Sequence, residues 1–263
     1  MSLKNKLFEC EGVSLSLGGR RILTNVSIDV TPGEIVGLVG PNGAGKTSLF
    51  EVLCGRYISE AGVVKLDGSD ITKESFFKRA RIGLARTYQS PVTPGSLTVG
   101  ETFRAARKAF RPYLSVHDAE WAARLANLKV HWDTPAAALG AFDRRKLLIS
   151  CLMMRNPKVI LMDEPASGLI NAEIDELDLI IRRIVDEYAI GVIMIEHRLE
   201  LLSAVADRVV VLDLGEVIAQ GSPENVFVDP KVHAAYFEDA PVSYTHLRAH
   251  ETRGNLVCRL LLE

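Results

Sequence analysis

The chain has 263 residues, of which 48% are hydrophobic and 24% charged, and 31 Lys and Arg against 33 Asp and Glu leave a formal net charge of −2. That length buries a sizeable core as one large domain, or as one domain with a smaller lobe. Near-balanced, interspersed charges exclude a broad basic face for nucleic acid, so any phosphate binding must be local.

The opening residues MSLKNKLFEC carry no apolar core of the signal-peptide kind, and the expected setting is a reducing cytosol. Residues 7 to 39 alternate short β-branched runs with glycine turns and end in Glu34 to Val39, EIVGLV, a pattern for a buried strand. GPNGAGKTSLFEVLCG then reads as a glycine loop opening a helix. Val63 to Leu66 is a further strand ending in a turn on Asp67 and Gly68, and Ile82 to Gln89 leads to a loop around Pro91 and Pro94. From Leu97 to about Met154 strand signals vanish. Trp121, Leu125 and Leu128 fall there at helical spacing, the pattern of ordinary core packing. Strands resume at Val159 to Met162, Gly191 to Ile195 and a hairpin from Val209 to Ala219, separated by helical patterns at Asn171 to Tyr188 and Leu199 to Ala206. This alternation predicts an α/β core with a mainly parallel sheet, interrupted by a helical insertion.

No apolar run approaches the ~20 residues needed to cross a bilayer, so service to a membrane would come from its side. Cys10, Cys54, Cys151 and Cys258 form no CxxC pair and are expected to be free thiols.

Gly40 to Thr47, GPNGAGKT, satisfies the P-loop pattern GxxxxGK[ST] after an apolar strand and at the start of a helix. Gly40, Gly43 and Gly45 let the backbone curl so that the N–H groups around Pro41, Asn42 and Ala44 aim at phosphate oxygens, and the helix opening at Lys46, Thr47 and Ser48 adds its positive end. Lys46 is expected to pair with the β- and γ-phosphates of ATP, and Thr47 to ligand Mg²⁺. Val159 to Glu164, VILMDE, ends an apolar strand in two carboxylates. Asp163 is the candidate Mg²⁺ ligand, and Glu164 the candidate base for an attacking water.

With these motifs in place, residues 7 to 239 resemble the ATPase subunits of ABC transporters. The resemblance implies a P-loop NTPase core with a front antiparallel β-subdomain and a helical subdomain inserted at about residues 97 to 154. It places Gln89, in ARTYQ, as a sensor of the γ-phosphate and Mg²⁺, and His197, in VIMIEHR, as a second γ-phosphate contact. It also implies a second ATPase subunit, transmembrane permease subunits, no nucleic acid, and a position on the cytoplasmic face of the membrane. The strings GLARTYQ, DEPASGL and DRVVVLDLGEVIAQGSPENVFVDPKVHAAYFED are similar to the branched-chain amino-acid importer type.

The chain departs from that family at the signature LSGGQ, where Leu139 to Asp143 read LGAFD. Gly140 has no hydroxyl, and Phe142 is expected to put a ring where glycine lets the backbone approach a phosphate. Each lost hydrogen bond to a charged group costs about 1.5–3 kcal/mol. Leu17 stands where the family places an aromatic against adenine, and Ile170 stands where Asp or Asn follows Ser-Gly-Leu. In a head-to-tail dimer the altered signature spoils the partner's site and spares the chain's own, while Leu17 weakens the hold on the chain's own adenine. The expected assembly is therefore a heterodimer, a homodimer being the alternative. A soluble iron–sulfur-assembly ATPase and a scaffold with little hydrolysis are the rival readings. After residue 239 the resemblance stops. The segment 240 to 263 resembles translated adapter read-through or a cloning scar, and its His246 and His250 have no third metal ligand.

Overall fold

The computed structural model describes residues 6–89 and 93–237. His246, His250 and Cys258 lie outside the described residues, as does the rest of the tail. In chain order, β1 (Phe8–Leu17) and β2 (Arg20–Val30) form a hairpin whose turn is Gly18 and Gly19, both at positive φ. The buried β3 (Ile35–Val39) runs through the glycine loop into α1 (Lys46–Leu53). Strands β4 (Ala61–Leu66) and β5 (Ser69–Asp70) follow, then α2 (Phe76–Arg81), capped by the Ser75 hydroxyl, and β6 (Leu84–Arg86).

The chain then turns helical. Reciprocal capping starts α3 (Val99–Lys108) through Thr98 and Glu101, and α4 (Val116–Leu125) through Ser115 and Asp118. A 3₁₀ turn at Ala136–Ala138 leads to α5 (Ala141–Met153). Next come β7 (Val159–Asp163), α6 (Asn171–Tyr188), β8 (Gly191–Ile195) and α7 (Leu199–Val205). The hairpin of β9 (Arg208–Asp213) and β10 (Glu216–Gly221) precedes the short α8 (Pro223–Val226) and α9 (Pro230–Phe237).

The strands make a four-stranded antiparallel sheet, order β2-β1-β4-β5, and a six-stranded sheet, order β10-β9-β3-β8-β7-β6. In the larger sheet every neighbouring pair is parallel except β9 and β10. The fold is thus α/β, and its near-continuous apolar strands reflect a sheet covered on both faces. Successive residues of each strand feed opposite layers. Val36, Leu161, Ile193 and Val210 pack with α1 and the antiparallel sheet, whereas Ile35, Ile160, Val192 and Val211 pack with α5 and α6. Leu125 and Leu128 are buried in the second layer, and Trp121 packs edge-on against Tyr188 at its rim.

No helix among the described residues is long and apolar enough to cross a membrane. Among them Cys10, Cys54 and Cys151 are free, and burial pushes the Cys10 and Cys151 thiols up to about 12, which makes them unreactive.

Candidate functional site

The neighbouring parallel strands β3, β8, β7 and β6 end on one edge of the six-stranded sheet. Their C-terminal ends deliver, in that order, the glycine loop, Glu196 with His197, Asp163 with Glu164, and the segment from Arg86 to Gln89. Ligand sites of open α/β sheets form at such an edge, because every strand there hands its next residues to one crevice.

The loop from β3 to α1 depends on its glycines. Gly40 has φ +154, and a Cβ there would lie 2.0 Å from the Leu212 carbonyl oxygen. Gly45, with φ +101, opens α1 against Ile22 and Leu23 with no room for a side chain. Gly43, also at positive φ, faces open space. The first turn of α1 holds no acidic residue, so its positive end is left for an anion. Lys46 is buried, and its Nζ donates to the carbonyls of Gly40 at 2.6 Å and Pro41 at 2.9 Å. Burial lowers its pKa, while Glu164 and Asp163 pull it up, which places both carboxylates within electrostatic reach of the ammonium. Thr47 is exposed one residue further on.

Glu164 leaves β7 at φ +46, an uncommon conformation for a residue with a side chain. Gln89 Nε2 donates to one of its carboxylate oxygens at 2.6 Å, and His197 Nε2 meets the other at 2.9 Å. The structure therefore brings Gln89, Glu164 and His197 into one constellation. Asp163 has a different partner. Its carboxylate takes the Arg86 guanidinium at 3.3 Å, and burial raises its pKa against the lowering pull of Arg86.

Arg86 was not singled out by sequence reasoning, although it stands in the quoted string GLARTYQ. Its side chain is almost wholly buried, pairs with Glu51 of α1 at 2.9 Å, touches Cys54 Sγ at 3.1 Å and lies under the Tyr88 ring. It bridges Glu51 and Asp163, so α1 and β7 are tied by charge as well as by packing. Glu196 and Arg145 were also missed as structural partners of the site. The Glu196 carboxylate accepts the Ala166 N–H at 2.7 Å, and Arg145 Nη2 donates to the Ser167 carbonyl at 2.9 Å.

The segment LGAFD opens α5, with Gly140 as its N-cap and no side-chain capping bond. The expectation that Phe142 puts a ring where glycine lets the backbone approach a phosphate is corrected by the structure. Phe142 is buried in the core layer, with Lys146 Nζ 4.4 Å from its ring centroid. The backbone at Gly140 is exposed, and a Cβ there would meet nothing within 4 Å. What this end lacks is a hydroxyl, not access. Leu17 ends β1 partly exposed, and Ile170 is exposed between the 164–169 segment and α6.

Among the described residues no cluster of three His, Cys, Asp or Glu side chains is arranged to hold a metal by itself. The Thr47 hydroxyl, Gln89 amide and Asp163 carboxylate instead offer a few hard oxygen donors beside a phosphate cradle. That donor set fits Mg²⁺, which completes its octahedron with substrate phosphates and water.

The ABC transporter family model matches residues 23–167. Relatives include the high-affinity branched-chain amino acid transport ATP-binding protein BraF of Pseudomonas aeruginosa, 30% identical over 90% of this chain and 100% of its own length. The corresponding protein LivG of Escherichia coli K12 is 31% identical with the same coverage. Among solved structures, an ABC-transporter ATP-binding cassette in its ADP conformation superposes with a TM-score of 0.80 at 26% identity, covering 88% of this chain and 98% of that one. A nucleotide-free cassette gives 0.78 at 27% identity, again covering 88% and 98%.

Proposed function

We propose, from the premise that this chain belongs to the ABC transporter family, that it is the ATPase subunit energising import of branched-chain amino acids. The chain is an ATP-hydrolysing cassette of a transporter, and such cassettes dimerise and work with transmembrane permease components. The amino-acid substrate rests on the names of relatives that it matches over their whole length. A place on the cytoplasmic face of the membrane follows from that reading.

Convergence of four strand ends on one crevice is the observation that carries the mechanism. Lys46 exchanges the Gly40 and Pro41 carbonyls for β- and γ-phosphate oxygens of ATP, while the glycine-loop N–H groups and the start of α1 hold the rest of the chain of phosphates. Leu17 packs on the adenine without offering a π-face. Thr47, Gln89 and Asp163 would hold Mg²⁺, which supplies neutralisation of phosphate charge. Glu164 takes the proton of the attacking water. Before ATP arrives, Gln89 and His197 cap both oxygens of that carboxylate. A γ-phosphate that draws these donors to itself uncovers the base, so hydrolysis waits for the correct ligand.

The second ATPase subunit is a different chain carrying a full signature. Gly140 leaves the start of α5 without a hydroxyl, and Asp143 puts a carboxylate in its first turn, where a partner's γ-phosphate would meet it. Deleting the gene in its source cell is expected to abolish high-affinity uptake of radiolabelled leucine, with restoration by the wild-type chain and not by Lys46→Ala. Undiminished leucine uptake in the deletion strain would overturn the substrate assignment.

A further inference from the structure

The turn from Glu164 to Ile170 is held by consecutive residues of one strand end. Ile195 accepts the Glu164 N–H on its carbonyl at 2.9 Å, the Glu196 carboxylate accepts the Ala166 N–H at 2.7 Å, and the His197 ring meets the Glu164 carboxylate at 2.9 Å. From a separate element Arg145, in the second turn of α5, donates to the Ser167 carbonyl. Within the turn Ser167 N–H reaches the Glu164 carbonyl at 3.1 Å and Leu169 N–H the Ala166 carbonyl at 3.2 Å. Both anchors therefore hold backbone within a few residues of Glu164.

Both anchors are unusual as packing residues. Glu196 is 3% exposed and Arg145 6%, and Arg145 Nη1 has no hydrogen-bond partner. Apolar side chains of similar volume would fill these places at lower desolvation cost. What an apolar residue cannot supply is an acceptor for the Ala166 N–H and a donor for the Ser167 carbonyl, the groups that define the turn. Burial pushes Glu196 up to about 7, with the Ala166 amide, the His197 backbone and Arg145 pulling down and Glu164 pushing further up. A protonated carboxyl still accepts through its carbonyl oxygen, so the contact survives either protonation state.

We propose that Glu196 and Arg145 are positioning residues for hydrolysis, fixing the 164–170 turn from two separate elements and linking the placement of Glu164 to α5. This rests on the readings of Glu164 as the base and of α5 as the helix offered to the second subunit. Under it, movement of the start of α5 on dimer closure is passed through Arg145 to Ser167 and on to the Glu164 backbone. Each subunit then senses through its own α5 whether the opposite site is closed.

The test uses Glu196→Leu, Glu196→Gln and Arg145→Met in the full chain. Amide exchange of the 164–170 segment is expected to accelerate about tenfold or more in the Leu and Met variants, as loss of a bond to a charged group implies, with other segments unchanged. Glu196→Gln keeps the acceptor and is expected to exchange like wild type. In the assembled transporter the Leu and Met variants are expected to lose about tenfold or more in kcat with KM for ATP nearly unchanged, and Gln to restore kcat. Wild-type exchange in both the Leu and Met variants, or loss of ATP affinity in step with kcat, would overturn the proposal. Glu164→Gln is measured beside them. If it is inactive while the Leu and Met variants turn over normally, this proposal alone fails; if it hydrolyses at the wild-type rate, the reading of Glu164 fails first.

Discussion

Glu196 illustrates how a single side chain shows its environment through titration. Its folded-state value is about 7 against an ordinary 4.5, so the folded protein binds its proton more tightly than the unfolded chain does. Its contribution to stability is complete below about pH 4.5 and is lost as the pH rises through 7, a change of up to about 3 kcal/mol. Glu196→Gln has no such loss. The difference in Tm between variant and wild type is expected to grow by several degrees in favour of the variant from pH 5 to pH 8, read by thermal melting. A difference independent of pH would contradict the assignment. Gly40 is a second residue with a definite expectation, since its Cβ would collide with the Leu212 carbonyl. Gly40→Ala is expected to lower stability by at least about 2 kcal/mol in denaturant melts, and ATP binding with it.

At the scale of elements, α5 separates two explanations for a weak signature. The buried Phe142 ring is part of the core, so Phe142→Gly is expected to cost about 3–5 kcal/mol of stability by opening a cavity, whatever it does to the partner's site. Gly140→Ser adds the missing hydroxyl at an exposed N-cap with open space around the new Cβ. It is expected to raise stability by a few tenths of a kcal/mol and to increase hydrolysis in a homodimer, measured by melting and by ATPase rate. A strand followed by a glycine loop, or one ending in Asp and Glu, announces itself within a few consecutive residues, which is why GPNGAGKT and VILMDE were legible in the sequence. The partners of Arg86 lie on α1 and β7, so no local pattern shows that this arginine, and not a metal alone, faces Asp163. The pairing of Glu196 with Ala166 is likewise set by sheet order, and the direction of the Phe142 ring by the packing of α5 into the core layer. Leu139 to Asp143 could be recognised as a departure from LSGGQ, but not that the helix start stays accessible.

For the whole molecule, the intact glycine loop, Asp163, Glu164 and His197 stand on one edge while the altered signature stands at the start of α5. A head-to-tail pairing sends these to different ATP sites. Under the heterodimer proposed above, the chain hydrolyses ATP at its own loop only when another subunit supplies the signature, and contributes a poor signature in return. Steady-state ATPase activity of the purified chain and of Glu164→Gln, each alone and mixed with a cassette bearing LSGGQ from the same transporter, tests this most directly. Hydrolysis is expected only in the mixture with the wild-type chain, falling by about 10²–10⁴ with Glu164→Gln. An ordinary rate from the chain alone, or full activity with Glu164→Gln in the mixture, would contradict it.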